Sequence, residues 1–109
     1  MKFYYNGKLV RTSKTHEYKY ALINTETEKA RACSKDLKGV HAALAYLRKG
    51  LDVYLAVQNG TYRQKDRGWY TAKQIEENAI RWHGSLQAAI DSEKAFLAKY
   101  KIVELEARA

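Results

Sequence analysis

The chain has 109 residues with one cysteine and no proline, and its 20 Lys or Arg against 12 Asp or Glu give a net charge of +8. This length predicts a single domain over residues 1–109, because two cores of half that size would each be too small to hold together unaided. One cysteine excludes an intrachain disulfide, and no stretch approaches the roughly 18 apolar residues of a membrane-spanning helix. We therefore expect a cytosolic protein that has no contact with a membrane.

The excess of positive charge lies in the first two thirds of the sequence. Residues 1–67 hold fourteen Lys or Arg and six Asp or Glu, whereas residues 68–109 hold six of each kind. This asymmetry favours an acidic partner, either nucleic acid or an acidic protein surface, and carries no information about the fold.

The first third of the chain is predicted to form strands. Asn6-Gly7 favours a type I′ hairpin turn, so the residues on either side of it, 2–5 and 8–12, are expected to pair. Residues 18–23 alternate between two faces and predict a third strand, and residues 29–33 predict a short fourth one.

A helix is predicted over residues 35–49, with Ser34 as its N-cap and Gly50 just past its end. Its apolar stripe is Leu37, Val40, Leu44 and Leu47.

The densest apolar run, Val53-Tyr54-Leu55-Ala56-Val57, predicts a buried strand at the middle of the sheet. Asn59-Gly60 would turn the chain back into a partner strand over residues 61–64, and residues 65–68 would close this central hairpin.

The last third predicts two more helices and a final strand. Thr71 and Gln74 form a capping box before a helix that buries Ala72, Ile75, Ala79 and Trp82. Ser85 caps a further helix with the stripe Leu86, Ala89, Ile90, Phe96, Leu97 and Tyr100, and residues 101–107 alternate as a strand. The resulting fold class is α+β, an antiparallel sheet of five to seven strands with three helices packed on one face.

Residues that would support catalysis or metal binding are few and scattered. His16, His41 and His83 stand far apart without metal-binding spacing, and no glycine-rich phosphate motif occurs. We therefore expect no metal, no cofactor and no enzymatic activity. Cys33 leaves one alternative open, because it precedes a predicted helix N-terminus close to Lys35, where the pKa of a thiol falls. The interpretation we favour for it is a small, half-buried strand residue.

Basic residues interleaved with aromatic ones form the strongest functional signal. They occur in residues 62–70 and again near the N-terminus, around Tyr18. Stacking aromatics combined with phosphate-pairing cations are typical of proteins that bind single-stranded nucleic acid. The candidate binding residues are Lys8, Arg11, Lys14, Lys19, Tyr62, Arg63, Lys65, Arg67, Trp69 and Tyr70. The alternative is that the aromatics pack the sheet while the cations solvate its rim.

The opening stretch, KFYYNGKLVRTSKTHEYKYALI, resembles the start of short proteins encoded by bacteriophages and other mobile elements. The resemblance implies a context and assigns no site residues. Small phage proteins without catalytic motifs often bind and block a host machine, and anti-CRISPR proteins are the best-known group of this kind. Inhibitors that mimic DNA are acidic, so with its charge of +8 this chain would instead cover an acidic protein surface or grip guide RNA or target DNA.

Two hypotheses of different class follow from the sequence. The first is a non-enzymatic phage-type inhibitor, similar to anti-CRISPR proteins, that blocks a host nuclease or defence complex through a basic, aromatic-rich surface. Its partner would be a host protein or ribonucleoprotein complex. The alternative is a small nucleic-acid-binding module that contacts RNA or DNA directly. Salt separates the two, because phosphate contacts weaken steeply with ionic strength and an interface with an apolar centre does not.

Overall fold

The computed structural model describes residues 1–64 and 70–109, which form six strands and four helices. The chain divides into two compact units. The first unit is Met1–Leu47 together with Ala98–Ala109, and the second unit is Arg48–Leu97. One folding domain over residues 1–109 stays a prediction, because a division into compact units does not say which of them folds alone.

The first unit holds all six strands and one helix. The strands are β1 (Lys2–Tyr5), β2 (Lys8–Thr12), β3 (Tyr20–Asn24), β4 (Ala30–Ser34), β5 (Tyr100–Glu104) and β6 (Glu106–Arg108), and the helix is α1 (Leu37–Leu47). The second unit holds α2 (Lys49–Asn59), α3 (Ala72–His83) and α4 (Leu86–Leu97). The α+β class and the antiparallel pairing are confirmed. The prediction of one sheet and three helices is wrong, because there are two sheets and four helices in the described residues.

The two sheets of the first unit are joined by their last strands. Their strand orders are β2-β1-β6 and β4-β3-β5, and all neighbours are antiparallel. β5 and β6 follow each other directly but belong to different sheets, so the chain crosses from one sheet to the other at Leu105. At this crossing, the backbone N–H of Leu105 donates to the carbonyl of Lys19 at 2.7 Å.

The core of the first unit lies between the two sheets. Its buried cluster is Phe3, Ala21, Ile23, Val103 and Leu105, which both sheets contribute. Side chains alternate along a strand, so Leu22 points to the opposite face of β3 from its neighbours. That face is the one on which α1 packs, and both Leu22 and Val40 of α1 are completely buried.

The first turn forms as predicted, whereas the first helix has a different N-cap. Asn6 and Gly7 have φ values of 51° and 76°, which confirms the type I′ hairpin turn. The cap of α1 is Asp36 and not Ser34, because the Asp36 carboxylate accepts the N–H of Gly39 at 2.9 Å.

The central stretch is helical, so the predicted central hairpin is wrong. Residues 53–57 lie within α2, and residues 61–64 have no regular secondary structure. An apolar run this short cannot be told from one face of a buried helix by its pattern alone. Leu51, which is buried, stands three residues before Tyr54 and four before Leu55, and this helical spacing is the signal that identifies the helix.

Gly60 ends a helix where a hairpin turn was predicted. Its φ of 72° is left-handed, and its N–H donates to the carbonyl of Val57 at 3.3 Å. The N–H groups of Thr61 and Tyr62 both reach the carbonyl of Ala56, at 2.9 and 3.1 Å. Asn-Gly therefore satisfies the last carbonyls of α2, a role that glycine fills at helix ends as readily as it fills turns.

Gly50, predicted to follow a helix, lies inside α2 instead. A Cβ at this position would lie 2.9 Å from Oε1 of Glu93 on α4, so the missing side chain leaves room for this carboxylate.

The caps of the last two helices are confirmed, and one buried residue is not. Thr71 and Gln74 make both hydrogen bonds of a capping box, and Ser85 Oγ accepts the N–H of Ala88 at 3.0 Å. Trp82 is 75% exposed, contrary to the prediction that it is buried. In the last turn of α3 it is the ring of His83 that meets Tyr54 of α2, with centroids 6.4 Å apart.

Three other positions of the predicted apolar faces of the helices are also exposed to solvent. Ala72 is exposed, Leu37 is 45% exposed and Phe96 is 36% exposed. None of the helices in residues 1–64 and 70–109 is long and apolar enough to cross a membrane.

Replacing Phe3 with Ala should lower the free energy of unfolding by about 3–5 kcal/mol, because it empties the centre of the core between the sheets. The side chain of Phe3 is 1% exposed, whereas Leu9 on the neighbouring strand is 54% exposed. Leu9→Ala is therefore the matched control, with an expected change within about 0.5 kcal/mol. Urea unfolding followed by circular dichroism measures both, and equal losses would contradict a core shared by the two sheets.

Candidate nucleic-acid interface

Tyr18 is the centre of a cluster at one end of the first unit. Its ring meets the edge of the Phe3 ring, with centroids 5.4 Å apart and planes at 70°. The imidazole of His16 stacks parallel to it, with centroids 5.8 Å apart and planes at 5°. The guanidinium carbon of Arg11 lies 5.6 Å from the centroid of the Tyr18 ring. An edge contact, a stacked ring and a cation–π contact thus hold Tyr18 in one orientation.

A hydrogen-bonded turn carries His16 into this stack. Ser13 Oγ accepts the backbone N–H of Thr15 at 3.3 Å and that of His16 at 2.9 Å. Ser13 also exchanges two backbone hydrogen bonds with Met1, at 3.0 and 2.8 Å, which fix the turn to the start of β1. Lys14 lies within the same turn and is exposed.

Two further lysines border the cluster. The backbone N–H of Lys19 donates to the carbonyl of Ser34 at 2.9 Å, which brings Lys35 to the same end of the unit. Lys19 and Lys35 line a cavity of about 350 Å³ together with Phe3, Glu17 and Tyr18. We call Arg11, Lys14, His16, Tyr18, Lys19 and Lys35 the N-terminal patch.

The cations of the N-terminal patch form no ion pair with any carboxylate that the structure describes, and this keeps the patch positive. The ion pairs found in residues 1–64 and 70–109 involve Lys8, Arg48, Lys99 and Arg108, and none of these belongs to the patch. The amino group of Lys19 lies 5.6 Å from the centroid of the Tyr20 ring, which leaves its hydrogen-bond donors open to a ligand. The patch therefore offers cations and an exposed ring in one place.

The other predicted binding residues that the structure describes lie outside the N-terminal patch. Lys8 is at the opposite end of the first unit and forms an ion pair with Glu28. Tyr62, Arg63 and Tyr70 are in the second unit, where they line a cavity of about 330 Å³. Within this group, the Tyr62 hydroxyl donates to the carbonyl of Tyr70 at 2.5 Å. The other three, Lys65, Arg67 and Trp69, lie outside the described residues.

The structure thus brings together Arg11, Lys14 and Lys19 from the predicted set and adds three residues to them, Tyr18, Lys35 and His16. Lys35 reaches the patch through the pairing of β3 with β4, and no local pattern in the sequence predicts this pairing. His16 reaches it through its stack on Tyr18, and its place two residues before this tyrosine was the available signal.

Cys33 is half-buried on β4, which agrees with the interpretation that we favoured. Burial raises the pKa of its thiol, and the positive charge of Arg11 offsets this only in part. The thiolate that a nucleophilic cysteine needs is therefore disfavoured at neutral pH. The described residues also contain no group of three His, Cys, Asp or Glu side chains close enough to hold a metal ion.

A scan against protein-family models and searches of curated proteins and of solved structures found no match to this chain.

Alkylation of Cys33 by iodoacetamide at pH 7.5 should be slower than that of an unstructured cysteine peptide, because the raised pKa leaves less thiolate. Arg11→Gln should slow it further, since this substitution removes the charge that lowers the pKa. The rates follow from mass spectrometry of quenched samples. If the folded protein reacts faster than the peptide, Cys33 is a candidate nucleophile after all.

Proposed function

We propose that this chain is a non-enzymatic protein that binds single-stranded nucleic acid through the N-terminal patch. The observation that supports this function is the stack of His16 on Tyr18 among cations that form no ion pair with the carboxylates of residues 1–64 and 70–109. His16 is exposed, so the ring face turned away from Tyr18 is open to a base. Base stacking on an aromatic ring contributes about 1–3 kcal/mol per base.

Single strands fit this surface better than duplexes do. The faces of bases are hidden in a duplex and open in a single strand, and a stacked pair of side-chain rings can extend the stack of open bases. Arg11, Lys14, Lys19 and Lys35 would then pair with phosphates on either side of the stacked base. The protein would act in the cytosol of the host cell, on RNA or on unwound DNA.

The first test is fluorescence anisotropy of labelled single-stranded DNA and RNA at about 50 and 200 mM salt. If three phosphates are neutralised, the affinity should fall roughly 20-fold over this range, from a slope of about −0.7 per phosphate. Arg11→Gln combined with Lys19→Gln should weaken binding at low salt and make the slope shallower by about 1.4.

The matched control is Lys29→Gln combined with Lys38→Gln, which removes the same charge from exposed positions outside the patch. Equal losses in the two double variants would mean that net charge alone attracts the strand. The absence of any binding at low salt would contradict the proposed function.

A second candidate function is the phage-type inhibitor that blocks a host nuclease or defence complex of the anti-CRISPR kind. The observation that favours it is the exposure of two large side chains on α3, Trp82 at 75% and Ile80 at 51%. Exposed tryptophans are frequent centres of protein interfaces, where their burial supplies much of the affinity. Such a partner would be held with a weak dependence on salt.

Cleavage of a target plasmid by guide-loaded nucleases, with and without this protein, tests the inhibitor function. Trp82→Ala should abolish inhibition and leave strand binding unchanged, because the side chain is exposed and outside the N-terminal patch. If Arg11→Gln with Lys19→Gln removes the inhibition and Trp82→Ala does not, the inhibition results from nucleic-acid binding.

A further inference from the structure

A second cavity lies at the end of the first unit opposite the N-terminal patch. It has a volume of about 240 Å³ and opens between the β1–β2 turn and the β3–β4 turn. Val10, Ile23 and Val103 form its apolar floor, which continues the core between the two sheets. Tyr5 lines one side, and Asn6 and Thr25 add polar groups to the rim.

Two lysines point toward this cavity from opposite sheets. Lys101 pairs with Ile23 in the register of β5 and β3, so the two side chains share the core-facing side of the sheet. Lys8 pairs with Tyr5 in the register of β2 and β1 and shares its side in the same way. Both lysines line the cavity. Core-facing positions of a sheet are usually apolar, and here two cations occupy them at one opening.

Glu28 opposes one of these cations from an unusual backbone conformation. Its φ of 60° is left-handed, which costs a residue with a Cβ roughly 1–2 kcal/mol. The carboxylate forms an ion pair with Lys8 across the rim, with the two side chains 51% and 68% exposed. Pairs this exposed are weak, so an anionic ligand can displace Glu28 from Lys8. Strained residues of this type are concentrated at binding sites.

We propose that this cavity binds a nucleoside monophosphate, in which a sugar joins a planar base to a phosphate. The base lies on the apolar floor beside Tyr5, and the phosphate is held between Lys8 and Lys101 at the opening. Lysine suits this role because its ammonium group is a compact charge that donates several hydrogen bonds to phosphate oxygens. The inference does not depend on strand binding at the N-terminal patch, since the two sites share no residue.

The size of the cavity limits the ligand. Pockets for drug-sized molecules run from roughly 300 to 1,000 Å³, so 240 Å³ suits a small ligand such as a single nucleotide and no longer strand. Among the described residues, Lys101 makes no ion pair, and Lys8 has only the weak one with Glu28. Two available cations against one carboxylate favour an anion with more than one negative charge, as a phosphate monoester carries.

The test is a titration of the ¹⁵N-labelled full chain with adenosine 5′-monophosphate, adenosine and inorganic phosphate, followed by amide chemical shifts. The monophosphate should shift the amides of residues 5–8, 25–28 and 101–103 together, and each of the other two probes should bind at least ~10-fold more weakly. Shifts that are confined to the N-terminal patch, or that inorganic phosphate reproduces in full, would overturn the proposal.

Substitutions separate the cavity from the patch. Lys8→Gln with Lys101→Gln should raise the dissociation constant of the monophosphate by at least ~10-fold. Arg11→Gln with Lys19→Gln is the matched control with the same loss of charge. It should leave the dissociation constant measured from the cavity amides unchanged. Glu28→Gln keeps the backbone conformation and frees Lys8, so it should tighten binding roughly two- to fivefold. Equal weakening by both double variants, or no effect of the first, would contradict the site.

The source of the nucleotide is decided by comparing free monophosphate with short oligonucleotides that carry a 5′-phosphate or a 5′-hydroxyl. If the cavity takes a strand end, Lys8→Gln with Lys101→Gln should weaken the 5′-phosphorylated strand and spare the hydroxyl form. If it takes a free nucleotide, the substitution should weaken the monophosphate alone. Both outcomes support the site. If Lys8→Gln with Lys101→Gln weakens neither the monophosphate nor the 5′-phosphorylated strand, and strand binding at the N-terminal patch is intact, this inference is wrong. The proposed function is then unaffected.

Discussion

The backbone hydrogen bond from Leu105 to Lys19 marks the constraint on which the first unit depends. At this point one continuous stretch leaves the edge of one sheet and becomes the edge of the other. The two sheets must then face each other, so the inward side chains of both share one core that includes Phe3 and Val103. The two ends of the unit, where the strands of both sheets end, stay open.

Charge at these ends follows from the same arrangement. Inward positions at mid-strand are closed off by the opposite sheet and are apolar, whereas the last inward position before each opening reaches solvent and tolerates a cation. Lys8 and Lys101 occupy such positions at one end, and Arg11 does so beside Tyr18 at the other. The ends therefore differ in their polar groups while they share one core. A fold built in this way can change what it binds at its ends without disturbing its centre.

The sequence predicted the parts of the fold that depend on local chemistry. Asn6-Gly7 forms the expected turn, and Thr71 with Gln74 forms the expected capping box, because the partners of each lie within a few residues. The densest apolar run was misassigned since five such residues satisfy a strand and a helix alike. In the candidate site, Arg11 and Lys19 were predicted from their neighbours, but Lys35 arrives through long-range pairing that no local pattern encodes.

The first unit is interrupted in the chain, and this decides the order in which it can be completed. Residues 48–97 form the second unit and separate α1 from β5, so the strands that finish both sheets come last in the sequence. During synthesis, β1–β4 emerge while Val103 and Leu105 are still missing from their core. The incomplete sheets then expose the edges that β5 and β6 later cover, and such unpaired edges invite aggregation. The contacts among the helices of the second unit are closer in sequence, and the residues that make them have all been synthesised before β5 appears.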